Sequence, residues 1–459
     1  MIHKTEILLI TLLVFLLISA STIKAVPNPE PSETPQISFE DFMQATEVRI
    51  KVEDQSSNVI SNDAGDTLYF FCPTGTVSMG TFGGTDVWGW VDPDGKEYGI
   101  MGVSGGIAFI DIDASSHIQT IPFTPGCGWR DIKTYQHYAY AVSECGGLND
   151  GIIVMDMQYL PDSVKLINTF PIDGGSYPAS HNLSIDTIKG YLYAEGFGTG
   201  ASIFVHSLAN PEAPSIVSAF GPEQVHDMYA MNDTVYVAQG GMGKFSIWDL
   251  SNKFSAQLLT TFPGAPSGYA HNIWPTADGQ YVGTTEETGG KTVKFWDRSD
   301  LSNMQLVGEY IGPNYLAHNV QIFDRKAYIS HYESGIAVVD LKDPANPVEL
   351  AIYDNYPNDD GQNYNGCWGV FEALPSRRIL ASNRNGTLWI FKEKTGVIND
   401  TITFADAFGE AGTKIRVQVN VTNGIDLKIL VIPFSWAGPL NLIFDSATTT
   451  GTRAEFLKN

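Results

Sequence analysis

Short apolar runs that end in aspartate recur along most of the chain. The clearest copies are Ile107–Asp111, Ile152–Asp156, Phe245–Asp249, Val293–Asp297 and Ile336–Asp340, with weaker copies at Ser202–His206 and Leu388–Lys392. An alternating run such as Tyr138–Ser143 precedes each of them, and a Thr/Phe-rich run such as Leu259–Phe262 follows most. A further run opens each unit. Short runs of this kind, bounded by turn residues, are typical of β-strands. The pattern predicts four short strands per repeat.

The repeats start at positions 130, 181, 226, 271, 318 and 367, which are 45 to 51 residues apart. Another repeat begins near Val87, and Thr76–Phe82 resembles the outer strand that the last repeat lacks. A period of about 40 to 50 residues with four strands is typical of a β-propeller blade. We predict an all-β, seven-bladed propeller over residues 76–393, closed by an N-terminal strand that removes the exposed sheet edges. Two stacked β-sandwich domains are the alternative, but they do not require one strand order seven times.

The N-terminal segment predicts export. Residues 7–18 are almost wholly apolar, follow Lys4 and precede small residues. This is the pattern of a secretory signal peptide, which we assign to residues 1–25, since a membrane span needs about 20 apolar residues. An uncleaved membrane anchor is the alternative. Residues 26–38 form a proline-rich linker and residues 39–75 an N-terminal extension, so we expect a secreted or cell-surface protein with no membrane span in the mature chain.

Charge and composition narrow the choice of partners. The chain has 51 acidic and 27 basic residues, a net charge of −24 and a pI near 4.6. Nucleic acids and anionic membranes are recognised by clustered Lys and Arg, so neither is an expected partner. The 43% hydrophobic content excludes a disordered chain, and four cysteines are too few for a disulfide scaffold.

Several segments carry a resemblance to a known family. They are Asp86–Pro93, Gly95–Tyr98, Trp129–Lys133, Ala139–Glu144, Tyr269–Asn272 and Ala317–Val320. Together they resemble the choice-of-anchor B family of surface proteins, and the apolar strands that end in aspartate look like LVIVD repeats. The resemblance covers about residues 72 to 393 and implies an exported propeller that different members attach to the cell surface by different means; it does not imply any particular enzymatic activity. Unlike other members, this chain shows no sorting motif or transmembrane helix after the propeller.

Residues 398–459 predict a small second module. Four runs are expected to be strands: Thr401–Phe404, Lys414–Val421, Leu427–Ile432 and Leu440–Phe444. Asn423 and Gly424 predict a tight turn between the second and third of them. The segment resembles the first half of a cohesin-like β-sandwich, so we expect a partial module and a truncated sequence.

Paired polar residues open the innermost strands of five blades. The pairs are Arg130 and Asp131, His181 and Asn182, His226 and Asp227, His271 and Asn272, and His318 and Asn319; Val87–Trp88 and Cys367–Trp368 replace them in blades 1 and 7. The second strands end at Glu144, Glu195, Gln239, Glu286 and His331. Because these two strands are antiparallel neighbours, both sets are expected to ring one mouth of the central channel. Trp88, Trp90, Trp129, Trp274 and Trp368 are predicted near the same rim.

Three interpretations of this ring stay open. In the first, the repeated pairs are architectural and bind the neighbouring blade through hydrogen bonds. In the second, the ring binds a ligand that stacks on the tryptophans, or a divalent metal held by His181, His226, His271 and His318. In the third, it supplies an acid/base pair. Alternation lets only one residue of each pair face the channel, and the sequence does not decide which.

Cysteine positions predict one disulfide. Cys127 and Cys145 flank the hairpin formed by Trp129–Thr134 and Ala139–Glu144. If Thr134 pairs with Ala139, Cys127 lies opposite a neighbour of Cys145, so the two are expected to bond in an exported protein. Cys72 and Cys367 fall at opposite ends of blade 7 and are not expected to pair.

The sequence favours a binding protein. It contains no zinc-protease helix, phosphate-binding loop or dinucleotide fingerprint. We therefore expect a non-catalytic propeller that binds an extracellular protein or glycan at the channel mouth, with no cofactor assigned. One alternative is a metal-dependent hydrolase or lyase that acts on a polysaccharide or small ester, using the four histidines with Glu144, Glu195 or Glu286. The other is a purely structural surface or adhesion protein.

Overall fold

The computed structural model describes residues 67–397, apart from 81–82, 146–149, 176–178, 197–201, 313–314 and 358–360, together with five short strands outside that range. Side chains are described between residues 73 and 393. The chain divides into two compact units. One comprises Phe70–Lys394, and the other comprises Met1–Tyr69 with Thr395–Asn459.

Seven four-stranded antiparallel sheets, blades 1 to 7 in chain order, form the larger unit. The innermost strands are Val87–Val91, Arg130–Tyr135, Leu183–Asp186, Asp227–Met231, Ala270–Pro275, Val320–Phe323 and Cys367–Phe371. The second strands are Glu97–Val103, Tyr138–Ser143, Tyr191–Glu195, Thr234–Ala238, Tyr281–Glu286, Lys326–Ser330 and Arg378–Asn383. The third strands are Gly106–Asp111, Ile152–Asp156, Ile203–Ser207, Lys244–Asp249, Val293–Asp297, Ile336–Asp340 and Thr387–Val397. The fourth strands of blades 1 to 6 are Ser116–Pro122, Lys165–Phe170, Ser215–Phe220, Gln257–Pro263, Gln305–Tyr310 and Val348–Tyr353.

An N-terminal strand, Thr67–Ser78, supplies the fourth strand of blade 7. The predicted seven-bladed all-β propeller is thereby confirmed, and the closure leaves no blade with a missing outer strand. The strand begins earlier than the predicted Thr76–Phe82 and ends at Ser78. Its early part carries Leu, Tyr and Phe, which favour β-structure, and Gly80 with a φ of 66° turns the chain after it.

The repeated apolar-Asp motif forms the third strands. Ile152–Asp156 is buried at every position, whereas the neighbouring outer strand Lys165–Phe170 is half-exposed. A strand covered on both faces needs a continuous apolar run rather than alternation. The terminal aspartates accept backbone N–H bonds in the following turn, as in Asp249 with Ser251 at 2.7 Å and Asp340 with Lys342 at 2.9 Å. The motif therefore combines a buried strand with an aspartate-stabilised turn.

The smaller unit is described only as backbone strands. Leu9–Val14 pairs antiparallel with Leu430–Ser435. Thr401–Phe404 pairs with both Val59–Ser61 and Val419–Thr422. Three of the four predicted C-terminal strands overlap these elements, and Leu440–Phe444 lies outside the described residues. The signal peptide and the cohesin-like module therefore remain predictions. No helix in the described parts of the chain is long and apolar enough to cross a membrane.

Candidate functional site

Four imidazoles form a continuous arc at one mouth of the channel. The ring centroids of His181 and His226 are 4.4 Å apart, those of His226 and His271 4.2 Å, and those of His271 and His318 4.4 Å. Trp368 of blade 7 extends the arc, 4.4 Å from His318. Arg384 follows, over the ring of Trp368 at 4.5 Å and that of Trp129 at 5.8 Å. The fold thus brings all four predicted histidines together, one from each of four consecutive blades.

In four of the five pairs the second residue binds the neighbouring blade, and Asn319 is the exception. Asp131 accepts the backbone N–H of Leu183 at 2.7 Å. Asn272 accepts that of Val320 at 3.0 Å, and its amide donates to Asp227 at 2.7 Å. Because side chains alternate along a strand, the first residue of each pair is left at the mouth while the second joins two blades. We refer to Asp131, Asn182, Asp227 and Asn272, together with Asp86 of blade 1, which accepts the backbone N–H of Ile132 at 3.3 Å, as the inter-blade carboxylate and amide layer.

Arg130 departs from the histidine pattern. Its guanidinium donates to the carbonyl oxygens of Val103 at 3.2 Å and Thr124 at 2.8 Å. Arg130 is buried, and these carbonyl oxygens take the place of water around its guanidinium. Its charge is therefore not presented at the mouth of the channel. The positive group beside the arc is Arg384, which the sequence pattern did not single out.

Trp88 lies deeper in the channel than predicted. Asp86, not Trp88, is the blade 1 residue equivalent to Asp131, because both belong to the inter-blade layer and bind Lys133, at 3.2 and 2.5 Å. Lys133 Nζ lies over the Trp88 ring at 4.6 Å. Trp274 contacts Trp88 at 6.5 Å between ring centroids, so both tryptophans belong to this inner level. Alternation explains the difference, since Trp88 follows Asp86 by two residues and so points the same way one level farther into the channel.

The ends of the second strands differ in where their side chains point. The Glu144 carboxylate accepts a hydrogen bond from His181 Nδ1 at 2.6 Å, and Glu195 is buried close to the same imidazole ring. Glu286 instead binds Lys294 at 2.7 Å and the backbone N–H of Ala265 at 2.6 Å. Its neighbour Glu287 takes the place at the arc, 3.7 Å from His271 Nε2. A one-residue shift at a strand end reverses the side chain, which the sequence pattern could not resolve.

His331 also lies apart from the arc. Its ring is buried beside Gly312 and 6.1 Å from the ring of Tyr310. Burial lowers the pKa of His331 to about 4. The residue therefore packs between strands as a neutral ring, and Tyr332, which follows it, contacts His318 at 4.7 Å instead.

A cavity of about 430 Å³ adjoins the His181 end of the arc. Its lining combines carboxylates with aromatic rings: Trp129, Glu144, His181, Glu195, Gly196, Ser202, Glu223, Gln224, Val225, His226 and Tyr269. Trp129 is 42% exposed, which leaves its ring accessible. The disulfide between Cys127 and Cys145, with 5.7 Å between Cα atoms, joins the segments that carry Trp129 and Glu144. Cys367 is a buried free thiol, and the Cys72 side chain lies outside the described part of the chain.

Protonation differs along the arc. Burial opposes a charge on His181, but the hydrogen bond to Glu144 and the charges of Glu195 and Glu144 outweigh it and raise the pKa of His181 to about 9. Burial lowers the pKa of His318 to about 3 and the pKa of His226 well below its usual range. Burial also raises the pKa of Glu195 to about 8. The cavity end of the arc therefore carries a positive ring, and the remainder is neutral.

We expect the free energy of unfolding to fall between about pH 6.5 and pH 9. His181 holds its proton more tightly when folded, so its contribution is complete below the unfolded pKa near 6.5 and is lost as pH rises through about 9. Glu144→Gln removes the charged acceptor and should flatten this decline. Glu212→Gln, at a carboxylate bonded to Tyr138, is the matched control and should keep it. Urea denaturation across the pH range measures the slope, and equal slopes in the parent and Glu144→Gln would contradict the assignment.

Comparisons with known proteins identify the fold and no family. No protein-family model matches the chain, and no curated protein matches it. Among solved structures it is similar to the crystal structure of RRP9 WD40 repeats, with a TM-score of 0.53 and 13% identity. The match covers 71% of this chain and 100% of that one. At this identity the similarity shows a shared propeller fold alone.

Proposed function

We propose that this chain is a non-catalytic, exported propeller that binds an extracellular partner, protein or glycan, at the channel mouth. The propeller scaffold supports this, because it presents the connecting loops of seven blades around one rigid opening. Secretion and membership of the choice-of-anchor B family with LVIVD repeats belong to the same proposal. Their support is the apolar leader at residues 7–18 and the apolar third strands that end in aspartate.

The cavity beside His181 is the observation that carries the proposal. Its volume of about 430 Å³ lies within the usual range for small-ligand sites, about 300–1,000 Å³. Trp129 and Tyr269 offer flat apolar faces, while Glu144, Glu195 and Glu223 offer hydrogen-bond acceptors. Sugars present both an apolar ring face and hydroxyl donors, so this lining favours a glycan over a flat protein surface.

The acidic lining also predicts which glycans bind. His181 is protonated and paired with Glu144, and the raised pKa of Glu195, about 8, leaves that carboxyl largely uncharged at pH 7. Glu223 and the net charge of −24 therefore disfavour uronic and sialic acids at the mouth. We expect neutral or amino sugars to be preferred in a screen of the full chain on an oligosaccharide array.

Trp129→Ala is expected to weaken binding of the best array ligand at least about tenfold, which is about 1.4 kcal/mol. The change removes an exposed aromatic face from the cavity and leaves its backbone in place. Phe254→Ala is the control, since Phe254 is 80% exposed and lies between the third and fourth strands, at the opposite end of the blade from the mouth. Calorimetric titration measures both. Absence of any saturable glycan binding would contradict the glycan assignment, and full affinity in Trp129→Ala would contradict the mouth as its location.

A further inference from the structure

The geometry points to a divalent transition-metal site formed by His271, His318 and Glu287 at the channel mouth. Among the described residues these three form the one group whose potential ligand atoms all lie within 4.8 Å of one another. The inference goes beyond the proposed binding function and does not depend on a glycan ligand, because metal binding is measured on the protein alone.

The three donors converge from adjacent blades. His271 Nε2 and Glu287 Oε2 are 3.7 Å apart, and the rings of His271 and His318 are neighbours in the arc. Zinc bonds of about 2.0–2.2 Å place tetrahedral donors about 3.4 Å apart. His271 Nε2 and Glu287 Oε2 are already close to this separation, and donors up to 4.8 Å apart would need to approach by up to about 1.4 Å to complete the coordination.

Outer contacts orient two of these ligands. His318 Nδ1 lies 2.5 Å from the carbonyl oxygen of Trp368. This hydrogen bond keeps the ring proton on Nδ1, so Nε2 has a free lone pair with which to bind a metal. The Tyr332 hydroxyl donates to Glu287 Oε1, while Oε2 faces His271. A backbone carbonyl behind a histidine and a hydrogen bond to a carboxylate are the outer contacts that metal ligands use.

The donor set selects the metal class. Two imidazoles and one carboxylate suit Zn²⁺ and related transition ions, whereas Ca²⁺ and Mg²⁺ need mainly oxygen ligands. Three protein ligands leave at least one position open. The Glu287 side chain is 19% exposed, and the Tyr269 ring, which lines the cavity, is 6.4 Å from that of His271. The partial exposure of Glu287 therefore leaves the site open to solvent on one side, close to a residue that lines the cavity.

This set differs from the four-histidine set that the sequence predicts. His181 is held by Glu144, and the histidine that stacks between it and His271, His226, directs its Nδ1 at the His271 carbonyl oxygen at 2.9 Å. Neither belongs to the converging group. The structure thus replaces two of the predicted metal ligands with Glu287.

Metal analysis and Co²⁺ titration of the full chain test the site. We expect about one Zn²⁺ per chain after dialysis against micromolar zinc, and visible absorption bands typical of bound Co²⁺. Glu287→Gln should weaken the affinity more than about 100-fold, because even the loss of an outer contact costs 10–100-fold. Tyr332→Phe should weaken it about 10–100-fold.

Two histidine variants serve as controls. His181→Ala and His206→Ala should retain the parent affinity, since His181 is outside the group and His206 is buried against the Ile172 carbonyl oxygen. His271→Ala should abolish metal binding. If His271→Ala fails to fold, the metal affinity of Glu287→Gln tests the site instead. A parent that takes up no metal at micromolar concentrations would overturn the site. So would unchanged affinity in Glu287→Gln, or loss of binding in His181→Ala with retention in Glu287→Gln.

Discussion

Lys133→Met is expected to lower the free energy of unfolding of the propeller by about 3–5 kcal/mol at pH 7. Lys133 is buried inside the channel, where it binds Asp131 at 2.5 Å and Asp86 at 3.2 Å. Burial opposes its charge, but these two carboxylates outweigh burial and raise the pKa of Lys133, so it is protonated at neutral pH. Methionine fills a similar volume and leaves both carboxylates without their cation. Urea denaturation monitored by fluorescence measures the loss.

Lys342→Met is the matched control. The same change of residue is made at a lysine whose side chain is 84% exposed and lies 3.9 Å from Asp340. Exposed pairs contribute about 0–1 kcal/mol, so the control should unfold close to the parent. Equal losses in the free energy of unfolding in both variants would show that Lys133 does not stabilise the propeller by neutralising the buried carboxylates Asp86 and Asp131.

Asn272→Ala should lower the free energy of unfolding by about 2–6 kcal/mol, since it leaves two buried polar partners without a hydrogen bond, at about 1–3 kcal/mol each. The Asn272 amide donates to Asp227 of blade 4, and its oxygen accepts from the Val320 N–H of blade 6. One side chain therefore joins three blades. Denaturation of the full chain measures the effect, with circular dichroism to confirm that the variant is folded.

Asn319→Ala provides the comparison within the repeat. Asn319 is the equivalent residue of the next blade, but its side-chain oxygen is buried without a hydrogen-bond partner. Its truncation removes no inter-blade bond and should cost clearly less than that of Asn272. A larger loss in Asn319→Ala would contradict the inter-blade role of the amide layer.

The sequence pattern was sufficient for the blades because the same physical demand recurs in each. A third strand such as Ile152–Asp156 is covered on both faces and needs a continuous apolar run. The aspartate that ends it stabilises a turn, so the motif fixes both the strand and its boundary. The position of the closing strand was predicted correctly, but its length was not. Thr67–Ser78 begins before the repeats, where no similar segment elsewhere in the chain indicates where the strand starts.

The mouth was only partly predictable. The four histidines come together because they occupy one repeat position, which periodicity reveals. Trp88 and Glu286 were misplaced, since an error of one or two residues in aligning a strand moves the side chain to another level or face. Arg384 and Glu287 belong to connections rather than to the repeated strands, so nothing in the pattern marked them. Their places depend on the packing of adjacent blades.

Binding of the best array ligand to Asn272→Ala and Trp129→Ala, at a temperature where both are folded, tests the central claim most directly. The claim is that inter-blade residues stabilise the propeller while the exposed mouth binds the partner. It predicts that Asn272→Ala keeps the parent dissociation constant within about threefold and that Trp129→Ala loses at least about tenfold, or about 1.4 kcal/mol. Full affinity in Trp129→Ala together with lost affinity in a folded Asn272→Ala would contradict it.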